Sequence, residues 1–349
     1  MSAPPHIRHQ VVAMAIGISG GLIAYYAGLP LPWMLGPMIA NTVAAMLRAP
    51  IAGPDQLRPV MIPIIGVMLG SGVTAEMVGQ LGTWAITLAL LPVFLALAAG
   101  ISFAVYRRIG GYDPVTAFYA AMPGGLNEML ILGTEAGGNE RRIALAHASR
   151  VLLIIIFVAL FFGLFIGVTT GGQSGAAWVG LADITLVDYA ILLACAVLGT
   201  VLGRRLKIPA APVFGPMILS GVAHVLEWVT VAPPTLFVIA AQITIGSIIG
   251  SRFIGATLAE VRRDIGLSAI ASTLMLAVAV VFAEGIVLLS GIPLAQAFLA
   301  FSPGGLTEMS LLTLALDQDV AYVSVMHIIR ITLVIAIAPY VFALVRRRF

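Results

Sequence analysis

Stretches of roughly 20 largely apolar residues, the length needed to cross a bilayer as a helix, recur from Val11 to the C-terminal segment ending near Val345, with almost no polar chain between them. With 60% hydrophobic and only 9% charged residues, against about 25% charged in an ordinary soluble domain, the apolar excess cannot fill a single core. The bilayer is its solvent. The formal charge of +3 comes from 18 basic residues scattered in ones, twos and threes, so it reports topology and does not form a nucleic-acid surface. Cys195 is the sole cysteine, which excludes a disulfide framework and a multi-cysteine metal site. The first apolar run follows His6, Arg8 and His9 and lacks a small-residue cleavage site, so it reads as a retained helix.

The chain is internally duplicated. Gly36-Pro37-Met38-Ile39 returns as Gly215-Pro216-Met217-Ile218 at an offset of 179. At an offset of 180, Gly66-x-x-x-Gly70-Ser71 returns as Gly246-x-x-x-Gly250-Ser251, Pro123-Gly-Gly-Leu-Asn-Glu-Met129 as Pro303-Gly-Gly-Leu-Thr-Glu-Met309, and His147-x-x-Arg150 as His327-x-x-Arg330. Six apolar segments, 11–29, 32–48, 59–74, 83–106, 114–134 and 143–168, are answered by 186–203, 212–228, 235–252, 266–290, 294–314 and 321–345. The domains expected are therefore a membrane repeat over 1–170, a polar linker over 171–184 and a second repeat over 185–349.

The basic flanks predict that the second repeat is inverted. Arg107 and Arg108 follow the fourth segment, whereas Arg262 and Arg263 precede its counterpart. Arg141 and Arg142 precede the sixth, whereas Arg346, Arg347 and Arg348 follow its counterpart. Arg8 precedes the first, whereas Arg204, Arg205 and Lys207 follow its counterpart. Because cytoplasmic loops carry the excess of Lys and Arg, both termini are placed in the cytoplasm. Arg107 and Arg141 then share a side only if the fifth segment is a re-entrant hairpin, and Pro-Gly-Gly at its middle is a poor helix interior. The expected fold is all-α and integral to the membrane: five transmembrane helices plus one re-entrant broken hairpin per half, about ten spans in total.

Inverted repeats with matching breaks point to a secondary transporter whose site lies where the breaks meet. Gly124, Gly125, Asn127, Gly304, Gly305 and Thr307 would present backbone N–H groups and a helix N-terminus to an anion. Arg150 and Arg330, expensive inside apolar segments, would clamp a carboxylate, phosphate or sulfonate. Glu128, His147, Glu308 and His327 could carry a coupling proton or hold sodium. Structural alternatives stand beside these roles: the glutamates capping their own helices, the arginines paired with those glutamates, and the histidines hydrogen-bonded in place. A two-histidine, two-glutamate metal site is not required by the spacing. The Gly-Pro-Met and Gly-x-x-x-Gly-Ser motifs are read as close helix packing.

The paired Pro-Gly-Gly-Leu-Asn/Thr-Glu-Met and Gly-Pro-Met-Ile motifs resemble the bacterial AbrB-type membrane protein family, over nearly the whole chain. The resemblance implies an inner-membrane protein. Names attached to that family include an ammonia monooxygenase and a regulator of gene expression, the latter label shared with an unrelated soluble DNA-binding protein. The five histidines, His6, His9, His147, His224 and His327, form no dense ligand motif for a copper or iron oxygenase, so no cofactor and no enzyme activity are expected. No soluble basic domain is present for direct DNA binding, which leaves regulation indirect. A channel is the other rival. The partners expected are a small solute or ion and the lipid bilayer, with self-association open.

Overall fold

A computed structural model describes residues 5–29, 31–74, 81–165, 178–208, 210–256 and 258–346. The linker positions 171–177, Arg347, Arg348 and the side chain of Asn127 lie outside the described residues. Among the described residues there is no strand, and fourteen α-helices fall into two sets of seven. The first set is α1 (Pro5–Tyr26), α2 (Pro32–Met46), α3 (Arg58–Ser71), α4 (Ala85–Ala104), α5 (Pro114–Ala121), α6 (Leu126–Glu135) and α7 (Glu140–Phe165). The second is α8 (Leu186–Arg205), α9 (Ala211–Val225), α10 (Thr235–Gly250), α11 (Leu258–Ser290), α12 (Leu294–Phe301), α13 (Leu306–Ala315) and α14 (Val320–Arg346).

Among the described residues seven helical segments are long and apolar enough to cross a membrane, carried by α1, α4, α7, α8, α10, α11 and α14. The 14 or 15 residues of α2, α3 and α9 rise only about 21–23 Å, short of a hydrocarbon core of about 30 Å. The chain is thus a multi-pass membrane protein by helix length and composition.

The duplication extends to backbone conformation. Left-handed residues recur in pairs at the repeat offset: Gly28 and Lys207, Leu31 and Ala210, Arg48 and Glu227, Gly111 and Gly291, Gly137 and Asp317. Non-glycine residues avoid this region because of Cβ crowding. Its reuse by a leucine, an arginine, a lysine, an alanine, a glutamate and an aspartate shows that helix geometry on either side imposes it.

The chain divides into two compact units, each built from both repeats, with the boundaries falling inside α7 and α13. The first comprises Met1–Gly79, Ile156–Ala256 and Ser310–Ala321. Within it α1 packs on α2 and α8 on α9, while α2 packs on α10 and α9 on α3. The contacts are reciprocal. Gly66 and Gly70 of α3 lie against the Val213 and Met217 carbonyls of α9, and Gly246 and Gly250 of α10 lie against the Met34 and Met38 carbonyls of α2. Asn41 donates to Ser247 Oγ (3.1 Å), and at the matching place Ser220 Oγ donates to the Val67 carbonyl (2.8 Å). Such mutual pairing is the mark of a two-fold relation between equivalent pieces.

The second unit comprises Gln80–Ile155, Thr257–Met309 and Tyr322–Phe349. Here α4 packs along α11, and each carries a short helix of a broken segment, α5 on α4 and α12 on α11. In the first repeat α5 and α6 contact one another, and the Asn139 N–H that follows α6 donates to Thr116 Oγ1 near the start of α5 (2.8 Å). The segment therefore returns to where it began, forming a helical hairpin with Met122–Gly125 at its tip. Asp113 caps α5 by accepting from the Thr116 N–H (2.9 Å), with Pro114 in the first turn.

Candidate functional site

Proline has no N–H to donate, and two glycines follow it. The helix therefore stops at Ala121 and restarts at Leu126, and in the second repeat stops at Phe301 and restarts at Leu306. Each stop leaves carbonyls without an intrahelical partner, and each restart leaves N–H groups without one. The restarted ladders begin with the Met129 N–H donating to the Gly125 carbonyl and Met309 to Gly305, both at 3.0 Å. All twelve residues singled out from the sequence fall in the second compact unit.

The two buried His-x-x-Arg pairs secure the stranded carbonyls. His147 Nε2 lies 2.9 Å from the Tyr119 carbonyl, which can only accept, so Nε2 carries the proton. Nδ1 is then free to accept from Arg150 Nη2 at 2.7 Å. Arg150 Nη1 donates to the Ala120 carbonyl at 3.3 Å. In the second repeat His327 donates to the Leu299 carbonyl (2.9 Å) and accepts from Arg330 Nη2 (3.3 Å). Arg330 also reaches across the break, donating to the Ser302 carbonyl at 2.5 Å and the Gly304 carbonyl at 2.6 Å. A second proton on either histidine would set two donors face to face at Nδ1.

Both arginines are only 2% exposed, and the Nε of each has no hydrogen-bond partner. Their described partners are carbonyls and histidines. These carbonyl partners could not be named in advance, because they become orphans only once the break is located. The arginines sense one another's charge, and Gly124 at the first break lies against Val334, one turn beyond Arg330 on α14.

The glutamates fold back on their own helix starts. A carboxyl oxygen of Glu128 sits where a β-carbon on Gly125 would be, and one of Glu308 sits likewise against Gly305. Each carboxylate therefore occupies the positive pole of the restarted helix. The breaks differ in openness: Glu128 is exposed and Gly124 half-buried, whereas Glu308 and Gly304 are buried; the prolines Pro123 and Pro303 are buried in both. Thr307 is half-buried.

Beside the first break, Pro92, Ala99, Phe118, Pro123, Val334 and Ile337 line an apolar cavity of about 320 Å³. No charged residue lines it. Among the described residues no three His, Cys, Asp or Glu side chains gather as metal ligands.

Two curated proteins match almost end to end. One, named "Uncharacterized protein YhjN", from Bacillus subtilis (strain 168), is 28% identical over 93% of this chain and 90% of its own length. The other, "Putative regulator AbrB" from Escherichia coli (strain K12), is 26% identical over 95% of this chain and 94% of its own. The family profile described as "Transition state regulatory protein AbrB" matches residues 33–346. A duplicated membrane chain with paired Pro-Gly-Gly breaks, matched over this range, belongs to the AbrB family.

Proposed function

We propose that the protein is a secondary carrier of the bacterial inner membrane that moves a small anionic solute coupled to protons or sodium. The observation that carries this reading is the pair of helix breaks, each with a buried arginine beside it, both in one compact unit built from both repeats. The positive poles at the starts of α6 and α13 and two guanidiniums whose Nε has no hydrogen-bond partner among the described residues favour a negative ligand. Glu128 or Glu308 would act as the resident anion, displaced or shared when solute binds. The more open first break and the more tightly pinned second break fit a carrier caught accessible on one side.

Inversion of the repeats, with ten spans, two re-entrant hairpins and both termini cytoplasmic, belongs to the same proposal. It is supported by the switched arginine flanks and by one matched contact. Trp84 stacks edge-on against Tyr322 (5.6 Å between ring centroids), and the equivalent positions in the opposite repeats are Asp264 and Arg142, which attract one another electrostatically. An aromatic pair at one end and a charged pair at the other suit a membrane with a basic cytoplasmic side and an aromatic interface. Cysteines replacing Arg108 and Arg141 are expected to react with an impermeant thiol reagent from the same face; opposite faces would overturn the hairpin.

In both repeats segments one to three fall in the first unit and segment four in the second, with segment six of the first repeat divided at Ile156 and segment five of the second at Ser310, a division that movement of one unit as a rigid body would use. The regulatory names of the family profile and the Escherichia coli protein fit an indirect effect on gene expression through the carried solute. In proteoliposomes, solutes selected by thermal shift from small carboxylates, phosphate and sulfonates should be taken up by the native chain. Uptake should be lost in Arg150→Ala and Arg330→Ala, with membrane insertion retained. Normal uptake by both variants would dismiss the anion clamp.

A further inference from the structure

The α4–α11 contact in the second compact unit, one helix from each repeat, carries at one end a buried polar stripe that its repeat-related other end lacks. On α11, Asp264, Ser268 and Ser272 follow at i, i+4 and i+8, a spacing that keeps them on one face. Facing them are Ser102 on α4 and Tyr106 in the π-helical turn Val105–Ile109 that extends it, followed by Tyr112. All six are buried. The Tyr112 hydroxyl donates to Asp264 Oδ1 at 2.6 Å, the Tyr106 and Tyr112 rings lie 5.4 Å apart, and Tyr106 Oη is 3.0 Å from Ser268 Oγ. Ser268 in turn donates to the Ala146 carbonyl at 3.4 Å, the residue before His147. Tyr106 is within electrostatic reach of Arg150. Ser102 and Ser272 hydroxyls have no partner among the described residues.

At the repeat-equivalent positions the same six places hold Trp84, Leu88, Pro92, Phe282, Ile286 and Ile292. All are apolar, and Phe282 there joins Phe94 and Phe301 in an aromatic cluster. Packing these two helices does not require the polar version, since the repeat-related end of the same pair packs without one. Buried hydroxyls and a carboxyl cost desolvation free energy, and an ionisable group at membrane depth is a functional candidate by default. A π-helical turn at the same place is also a frequent companion of functional sites.

We propose that Asp264 is a proton-binding site reached from the face that carries Arg142 and Arg263, and that the Tyr112, Tyr106, Ser268, Ser102 and Ser272 hydroxyls form a one-sided path toward the His147–Arg150 pair. The inference rests on the carrier reading and gives it a coupling ion, the proton. The charged and titratable groups around Asp264 are Tyr112 and Tyr106 from the α4–α5 connection, Arg142 from α7, and Arg263 and Glu260 from α11 itself. Arg142 lies over the Tyr112 ring at 5.0 Å, Arg107 holds the Tyr112 carbonyl (2.8 Å), and Arg141 pairs with Glu260 (3.0 Å). Burial and the adjoining Asp264 carboxylate hold the Tyr112 hydroxyl well above the usual phenol range, so it remains a donor. A proton arriving at Asp264 neutralises the carboxylate and weakens that hydrogen bond. The stripe then offers hydroxyl oxygens by which it can be handed inward.

The test is carbodiimide modification of Asp264 in the full-length protein in sealed vesicles of both orientations, with an impermeant water-soluble carbodiimide read by mass spectrometry. Modification of Asp264 is expected from the Arg142 face alone and to fall as pH rises, because the reagent takes the protonated carboxyl. Tyr112→Phe removes a donor that favours the charged form, so its modification should persist to higher pH. Asp264→Asn should remove the label and, for any solute carried, the pH dependence of uptake. Absence of label at every pH where the protein keeps its Tm, or equal label from the opposite face, would overturn the proposal. If Asp264→Asn does not fold, the Tyr112→Phe profile decides alone. A chain that labels as expected yet carries no solute would defeat the carrier reading and leave the proton site standing.

Discussion

Arg330→Ala is expected to lower the thermal stability of the purified protein distinctly more than Arg150→Ala, although the two residues occupy equivalent places in the repeats. Removing Arg330 orphans the Ser302 and Gly304 carbonyls and the His327 Nδ1 acceptor, whereas removing Arg150 orphans the Ala120 carbonyl, bound at a longer 3.3 Å, and the His147 Nδ1. An unsatisfied buried polar group costs about 1–3 kcal/mol. The extra carbonyl therefore separates the two variants by an amount of that order, visible as a shift of several degrees. Both variants also relieve the desolvation of a buried charge, which offsets part of the loss. That term is common to the pair and cancels in the comparison. Lysine at 330 keeps the charge but offers a point donor in place of a fork, so it should recover only part of the stability. Equal Tm values for Arg330→Ala and Arg150→Ala would mean that the carbonyl staple across the second break contributes nothing.

The same comparison separates stability from function. A residue that only staples a break should affect Tm and leave the affinity of surviving protein for solute unchanged. A residue that also binds should lose affinity whatever its Tm. Arg150, with fewer protein partners and a more open break beside it, is the arginine freer to serve a ligand. Arg330 is the more structural of the two.

The duplication was legible in the sequence because motifs survive at positions where backbone geometry leaves no choice: glycines under a crossing carbonyl, Pro-Gly-Gly at a break, and His-x-x-Arg opposite the stranded carbonyls. The helices follow the predicted apolar segments to within a few residues, except that α1 begins at Pro5 and not near 11, and α11 at Leu258 and not near 266. The latter difference concealed Asp264. Placed beside Arg262 and Arg263 it reads as one more charge in a flank, whereas on a helix that has already begun it faces α4 and is buried. The signal was present in the polar-to-apolar exchange between equivalent positions, Ser268 against Leu88 and Tyr106 against Ile286. The division into two units, each drawing on both repeats, was not legible. Segments that pack on a neighbour in their own repeat also pack on a partner from the other repeat, and apolar periodicity does not say which.

Alanine at Gly36 or Gly215 is expected to be the most damaging single-methyl change in the protein. A β-carbon on Gly36 would collide with the Gly20 carbonyl of α1, and one on Gly215 with the Gly199 carbonyl of α8. The obstacle in both cases is backbone, so no side chain can turn aside and the helices must separate. Overpacking a filled core costs about 1–3 kcal/mol, occasionally more, and a collision with main chain belongs at the upper end. Close approach at small residues is also how membrane helices associate, since lipid supplies no hydrophobic force between them. Gly100, Gly266 and Gly285 are the controls, because a β-carbon there meets nothing within 4 Å. Alanine at these helical positions should leave Tm unchanged or raise it, by up to about 1 kcal/mol of helix propensity. The readout is Tm and monodisperse yield in detergent for all five variants. If Gly36→Ala and Gly215→Ala match the controls, the α1–α2 and α8–α9 crossings are looser than the structure shows. If only one of them is damaging, the two repeats differ in the tightness of a contact that their matched motifs imply is the same.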